Sequence, residues 1–256
     1  MRFGGIVCVR NGNKLDYCWQ EAVKSLLPVC DNVVICIGSG GDDDTEKEAR
    51  EWSFRDPKIL ICVYDWPNPK GDIDFWVNWL QYARQHVPQP YLIQLDGDEV
   101  LSENSYEEIE QLKHRPGQFS VWCKRYNFWT NAQSLIPHGY CCSHILVRIS
   151  PQHVWLPSDG VHAKGAEAIR MAVNSNIEIF HYGFLRKRDA WFKKARGLHD
   201  MFFGTYDSRL EAAEKYDGQW SSMPGLCGGW ESQLVPYTGS HPKVAHQWLT
   251  DRGYKI

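Results

Sequence analysis

The chain has 256 residues, of which 43% are hydrophobic and 23% charged, with a net charge of −3. That length buries a sizeable core. The composition excludes a disordered chain and the charge excludes a sequence-wide nucleic-acid surface, though a local basic patch remains open. No apolar run is long enough to span a membrane, and the start, Met1 to Gly5, carries no secretory signal and leads straight into a strand-like run.

The first hundred residues alternate between strand and helix patterns. Phe3 to Val9 reads as a strand, and Lys14 to Leu27 has helical spacing that Pro28 ends. Asn32 to Ile37 is a second strand, and 38–44 a Gly- and Asp-rich loop. A helix runs from Thr45 to about Trp52, a third strand from Ile59 to Tyr64, and a helix from Asp74 to His86. Tyr91 to Leu95 is a fourth strand. Alternation at these lengths implies right-handed crossovers and a mostly parallel sheet. Beyond Leu101 the order changes. Ser105 and Glu108 are spaced as a capping box before a short helix reaching about Lys113. Strands follow at Phe119 to Phe128, Ser143 to Ile149 and Asn176 to Phe180, the first two as a possible antiparallel pair. Helices run from Arg188 to Phe203 and Pro242 to Asp251. No linker is visible. The expectation is one α/β domain over 1–256, with a donor half at 1–101 and a mixed acceptor half at 102–256.

Nine cysteines include Cys8, Cys36 and Cys62 in apolar strands, where a free thiol acts as a small hydrophobe. No C-x-x-C pair occurs, so reduced thiols and a cytoplasmic setting are expected. Twelve tryptophans supply core volume and flat faces on which sugar rings or bases can stack.

The fourth strand ends in Asp96, Gly97, Asp98 and Glu99, three acids in four positions. Carboxylates at the carboxyl end of a buried strand lie where open α/β sheets bind ligands. Asp96 and Asp98 can converge on one divalent cation through hard oxygen ligands, whereas the bland reading is a solvated acidic turn. The loop at 38–44 sits between strand and helix, where phosphates bind. It is neither a Walker A nor a G-x-G-x-x-G, and it fails as an EF-hand because Lys47 stands where glycine is needed.

Taken in order, Val9-Arg10-Asn11 after strand one, Gly38-Ser39 to Thr45 after strand two, Asn78 on a helix, and Asp96 to Leu101 resemble the family 2-like glycosyltransferases of the GT-A fold. The resemblance is strongest over residues 3 to 101. It implies a GT-A-like (Rossmann-like) α/β fold, with a mostly parallel central sheet, helices on both faces and a mixed C-terminal acceptor half. It also implies a metal-dependent transferase that inverts the sugar of a nucleotide-diphosphate donor, UDP-linked by default. Donor contacts would fall to Val9, Arg10, Asn11, Gly38, Ser39, Asp42, Asn78, Asp96 and Gly97. Mn²⁺ or Mg²⁺ would sit on Asp96, Asp98 and His181, the last from a strand ending His181-Tyr182-Gly183. A neutral imidazole suits Mn²⁺ better than Mg²⁺. The family's base-reading Asp at the end of strand two is replaced by Cys36-Ile37-Gly38, so either a neighbouring acid such as Asp42 substitutes or the base is recognised differently. Asp159 and His162 are the candidate general bases, with Glu99 and Glu231 as competitors. Trp155, Trp220 and Trp230 are candidate acceptor platforms. Arg186, Lys187, Arg188, Lys193, Lys194 and Arg196 form a basic stretch that either steers a diphosphate or is simply solvated. A saccharide is the expected acceptor, and a hydroxylated base in nucleic acid the lesser one. A nucleotidyltransferase and a non-catalytic carbohydrate-binding protein are the rival readings.

Overall fold

The computed structural model describes residues 1–66, 75–129, 131–137, 145–154, 166–202, 211, 215 and 233–256. Strands β1 (Phe3–Val9), β2 (Asn32–Gly38), β3 (Ile59–Tyr64) and β4 (Tyr91–Asp96) pair in parallel in the order β4-β1-β2-β3. Every side chain of β1 is buried, which is why the strand reads as a continuous apolar run rather than an alternating one. Helix α1 (Trp19–Leu26) buries Trp19, Ala22, Val23 and Leu26, and α2 (Thr45–Arg55) buries Thr45 and Ala49. Both pack into the core on one face of the sheet. Helix α3 (Phe75–Gln85) covers the other face with Trp79, Leu80 and Ala83. Cys8, Cys36 and Cys62 lie at matched register across β1, β2 and β3 on that second face. Among the described residues these and Cys18, Cys30 and Cys123 are free and buried, packing as small apolar groups as expected.

The connection from β3 returns the chain across the sheet to β4, on the far side of β1. The strand order therefore reverses between β1 and β4, and the crevice at their carboxyl ends is the switch point of the sheet. Cys8 stands opposite Asp96 across that boundary.

Strand β5 (Glu99–Leu101) follows, then a 3₁₀ turn at Glu103–Ser105 and helix α4 (Tyr106–Leu112). Strands β6 (Ser120–Trp129), β7 (Asn131–Leu135) and β8 (Ile145–Pro151) extend the sheet. β8 joins β4 antiparallel, and β6 pairs antiparallel with β8 as the sequence suggested. After helix α5 (Ala166–Arg170), strand β9 (Ala172–His181) runs parallel to β6 and antiparallel to β5. Helix α6 (Arg188–Phe202), strand β10 (Val235–Pro236), a 3₁₀ turn at Lys243–Ala245 and helix α7 (His246–Thr250) complete the described elements. No described helix is long and apolar enough to cross a membrane.

Three expectations are corrected. The first helix begins at Trp19 rather than Lys14. Asn11 (φ 52°) and Asp16 (φ 55°) take left-handed conformations that Asn and Asp tolerate, and these wind residues 11–17 into turns instead. The capping box does not form. Ser105 accepts the Glu178 N–H at 2.8 Å, and Glu108 accepts the Asn176 N–H, so both residues tie α4 to β9 instead of capping the helix. The late strand starts at Ala172, four residues early, because its first half is polar and lacks an apolar signature.

One clamp that the sequence did not signal joins the two halves. Arg84 on α3 is 1% exposed and donates to the carbonyls of Pro151 and Gln152 at the end of β8. Gln152 returns bonds to the Arg84 and Val87 carbonyls. Burial pulls the guanidinium down to about 10, so it stays charged at neutral pH as it holds these carbonyls.

Candidate active site

The switch-point crevice is walled on one side by the loops after β1 and β2. Arg10 donates to the Ser39 carbonyl at 3.1 Å and the Gly40 carbonyl at 2.8 Å, and its guanidinium lies 4.9 Å from the Trp66 ring centre. Asn11 accepts the Asp42 N–H at 2.9 Å. Val9 is buried at the end of β1. Gly38 ends β2 under Trp66, where a Cβ would fall 2.5 Å from the indole. Arg10, Asn11, Gly38 and Ser39 are thus brought together. Asn78 is not; it is exposed on α3, with no hydrogen bond to these loops among the described residues. Asp42 is exposed and ion-paired to Lys14, whose hydrogen bond holds its carboxyl below the ordinary value. A different acid reaches the end of β2: Ser39 Oγ donates to Asp65 at 3.3 Å and accepts the Trp66 N–H at 2.9 Å. Asp65 directly follows β3, and its place one residue past a strand end was the only signal in the sequence.

The other wall is the acidic turn, whose carboxylates face different partners. Asp96, at 39% side-chain exposure, takes Arg148 at 2.8 Å. Glu99 is fully buried and takes both Arg125 at 2.8 Å and Arg148 at 2.9 Å; its other oxygen accepts the Asp96 N–H. This makes Glu99 a buried anchor of the turn rather than a free base. Arg148 is a charged residue inside the apolar run of β8, the kind of misfit that signals a buried ion pair.

Asp98 is buried at the carboxyl end of β4. Its Oδ2 accepts Arg186 at 2.7 Å and Lys194 at 3.0 Å, and its Oδ1 lies 3.7 Å from His181 Nε2. Burial alone would raise its pKa. Lys194, His181 and Arg186 outweigh it and hold the carboxyl well below the usual range. β5 and β9 pair Glu99 with His181, and Tyr182 donates its N–H to the Asp98 carbonyl at 2.9 Å, so strand register delivers the imidazole to the turn. His181 Nδ1 is 2.9 Å from Asn127 Oδ1 and donates there, which leaves Nε2 as a lone pair facing Asp98. Burial first, and Arg125 second, lower the imidazole pKa and keep it neutral.

The donor set fits a divalent cation at Asp98 and His181. Their 3.7 Å separation is past hydrogen-bond range. Gly183 keeps the space between them open, since a Cβ there would collide with His181 Nε2 and fall 2.8 Å from Asp98 Oδ2. A carboxylate oxygen with a neutral imidazole suits Mn²⁺. Among the described residues no cluster of three or more such ligands forms, and Asp96 is turned toward Arg148. A cation bound there would have two protein ligands, its remaining positions being left to water or substrate oxygens.

The crevice loops are braced from behind. Asp16 accepts the Lys187 N–H at 2.7 Å and pairs with Arg252, which lies 3.8 Å over Trp248. A cavity of about 870 Å³ borders Asn11, Gly38 and Gly41 and extends along α2 past Arg50 and Phe54. It touches the loops after β1 and β2 but not Asp98. Asp159, His162, Trp155, Trp220, Trp230 and Glu231 lie outside the described residues.

No family model and no curated protein matches the sequence. Among solved structures, S. aureus TarS 1–349 is similar at 11% identity and a TM-score of 0.49, covering 78% of this chain and 66% of that one. TarS 1–349 in complex with UDP-GlcNAc gives 12% identity and a TM-score of 0.45 over 70% of this chain and 58% of that one. The inositol-1-phosphate CTP transferase from T. maritima gives 10% and 0.45 over 79% and 96%. This chain thus spans less than two thirds of the length of either TarS chain.

Proposed function

We propose that the protein is a glycosyltransferase that moves a sugar from a nucleotide-diphosphate donor, UDP-linked, to a hydroxyl of a saccharide acceptor with inversion. One observation supports this above the others. Asp98 and a lone-pair-bearing His181 face each other across the space kept by Gly183, beside the loops after β1 and β2.

The energetic problem is the negative charge that gathers on the diphosphate as the glycosidic bond breaks. Mn²⁺ or Mg²⁺ held by Asp98 and His181 would neutralise part of that charge. Lys194 and Arg186 add fixed positive charge at the same end of the crevice, where low dielectric strengthens each interaction. Arg10 and Trp66 form a stacked wall beside Ser39, suited to a planar base. Asp65 takes the base-reading role that the end of β2 lacks, its carboxylate accepting the imide N–H of uracil. The acceptor hydroxyl gives its proton to Asp159 or His162, candidates that rest on sequence alone, and attacks the anomeric carbon opposite the leaving group.

The test is a thermal-shift panel of nucleotide sugars, each with and without Mn²⁺, followed by product analysis. UDP-sugars should raise Tm only with the cation, and turnover should release UDP. Release of pyrophosphate from a nucleoside triphosphate would move the protein to the nucleotidyltransferases. Glycan binding with no cation dependence and no turnover would make it a binding protein.

A further inference from the structure

Asp98 meets its cationic partners on very unequal terms. Arg186 is fixed in place: Nε donates to the Gly183 carbonyl at 2.8 Å, one terminal nitrogen to the Leu15 carbonyl at 2.6 Å, and the other to Asp98 at 2.7 Å. Its plane lies 4.1 Å over Tyr17, and its side chain is 1% exposed. Lys194 holds Asp98 by one contact of 3.0 Å, its side chain is 26% exposed, and its ammonium stands 5.1 Å from the same Tyr17 ring. A guanidinium bound on three nitrogens is part of the scaffold. An ammonium on a four-carbon stem is a point charge that can be redirected.

The consequence is electrostatic. A divalent cation approaching Asp98 and His181 meets a carboxylate that two positive groups already neutralise, and one of them is held loosely. A diphosphate entering the same crevice offers that loose ammonium a second anion. We propose, on the footing of the donor and cation reading above, that Lys194 is an exchangeable counter-ion: it neutralises Asp98 in the free protein and moves to the diphosphate when the donor binds. Arg186 keeps the carboxylate oriented throughout. Cation and donor then bind cooperatively, and by linkage each tightens the other by the same factor. Asp98 is never left as an unpaired buried carboxylate, because Arg186 stays on its Oδ2 whether Lys194 is there or not.

The experiment is a Mn²⁺ titration read by the electron paramagnetic resonance signal of free Mn²⁺, with and without UDP, on wild type, Lys194→Gln and Lys193→Gln. UDP should tighten Mn²⁺ binding to wild type by about tenfold or more. Lys194→Gln should bind Mn²⁺ without UDP about tenfold more tightly than wild type, and its further gain from UDP, beyond what UDP takes up in a protein-free blank, should be smaller than wild type's, the direct contact of Mn²⁺ with the diphosphate remaining. Lys193→Gln, which removes an exposed charge one residue away, should behave as wild type. Mn²⁺ affinity in Lys194→Gln that is equal to or weaker than wild type without UDP, or UDP coupling that stays at the wild-type value, overturns the exchange while leaving the cation site standing. No Mn²⁺ uptake by wild type even with UDP overturns the cation site and the exchange together.

Discussion

Glu99 and Asp98 are neighbours in one turn, yet they belong to different kinds of site. Glu99 is sealed between Arg125 and Arg148, which come from two strands of the sheet. Asp98 shares its charge with one fixed arginine and one partly exposed lysine, and it faces a neutral imidazole. The sealed pair defines where the turn sits. The half-open one can trade partners, and binding requires that freedom. Two carboxylates, one position apart, meet their arginine and lysine partners on different terms, according to how many other bonds hold those partners.

The sharpest way to break the comparison is to remove the anchor. Glu99→Ala removes the buried carboxylate shared by Arg125 and Arg148 and should destabilise the fold by about 3–5 kcal/mol, read as a lower urea midpoint. Stability unchanged within error would mean that Glu99 is no more an anchor than Asp98. Next comes Asp98→Asn, which keeps volume and should lower kcat by roughly 10²- to 10³-fold with the folded far-UV spectrum intact. Wild-type turnover in that variant would remove Asp98 from the reaction. A smaller effect is expected of Asp65→Asn. It should weaken UDP binding by about tenfold, one good hydrogen bond to a charged group, and leave Mn²⁺ binding with inorganic diphosphate unaltered. Equal UDP affinity would return base reading to Asp42 or to the backbone.

The smallest expected effect is a pH dependence away from the crevice. His241 sits between the Tyr182 hydroxyl at 2.8 Å and the Ala132 carbonyl at 2.7 Å, and burial holds its imidazole below the ordinary value of 6.5. The folded state resists a proton that the unfolded chain accepts. Its contribution is therefore fully present above about pH 6.5 and is lost as pH falls below it. Urea midpoints measured from pH 7.5 to 5.5 should fall, and His241→Asn should flatten part of that fall. An identical slope in the variant would assign the whole dependence to other groups, His181 among them.

Much of the first half was legible because its strands are buried on both faces and its helices show apolar spacing. β1 to β4 and α2 and α3 lie within a few residues of the ends that those patterns imply. The first turn of the expected α1 was not legible, since Asn11 and Asp16 adopt left-handed backbone that a helical spacing count does not register. In the site, Asp98 and His181 stood out as strand-end residues. Arg148, Arg125 and Arg186 did not, because an arginine in a strand or beside a basic helix looks the same in sequence whether it is solvated or sealed against an acid. Asp65 was passed over because its meaning depends on Ser39, a neighbour only after β2 and β3 align.

By itself the sequence determined the alternation of strand and helix, the parallel sheet that follows from it, and a cluster of acids at the carboxyl end of β4. These are local properties, set by side-chain periodicity and turn chemistry within a dozen residues. Tertiary structure decided that Glu99 is sealed between two arginines, that His181 reaches Asp98 through the pairing of β5 with β9, and that Lys194 holds Asp98 by one contact where Arg186 is fixed on three nitrogens. Those outcomes depend on contacts between residues on different strands and helices, far apart in the chain, and on whether each charge has other bonds to hold it. Packing settles both, and no stretch of chain contains them.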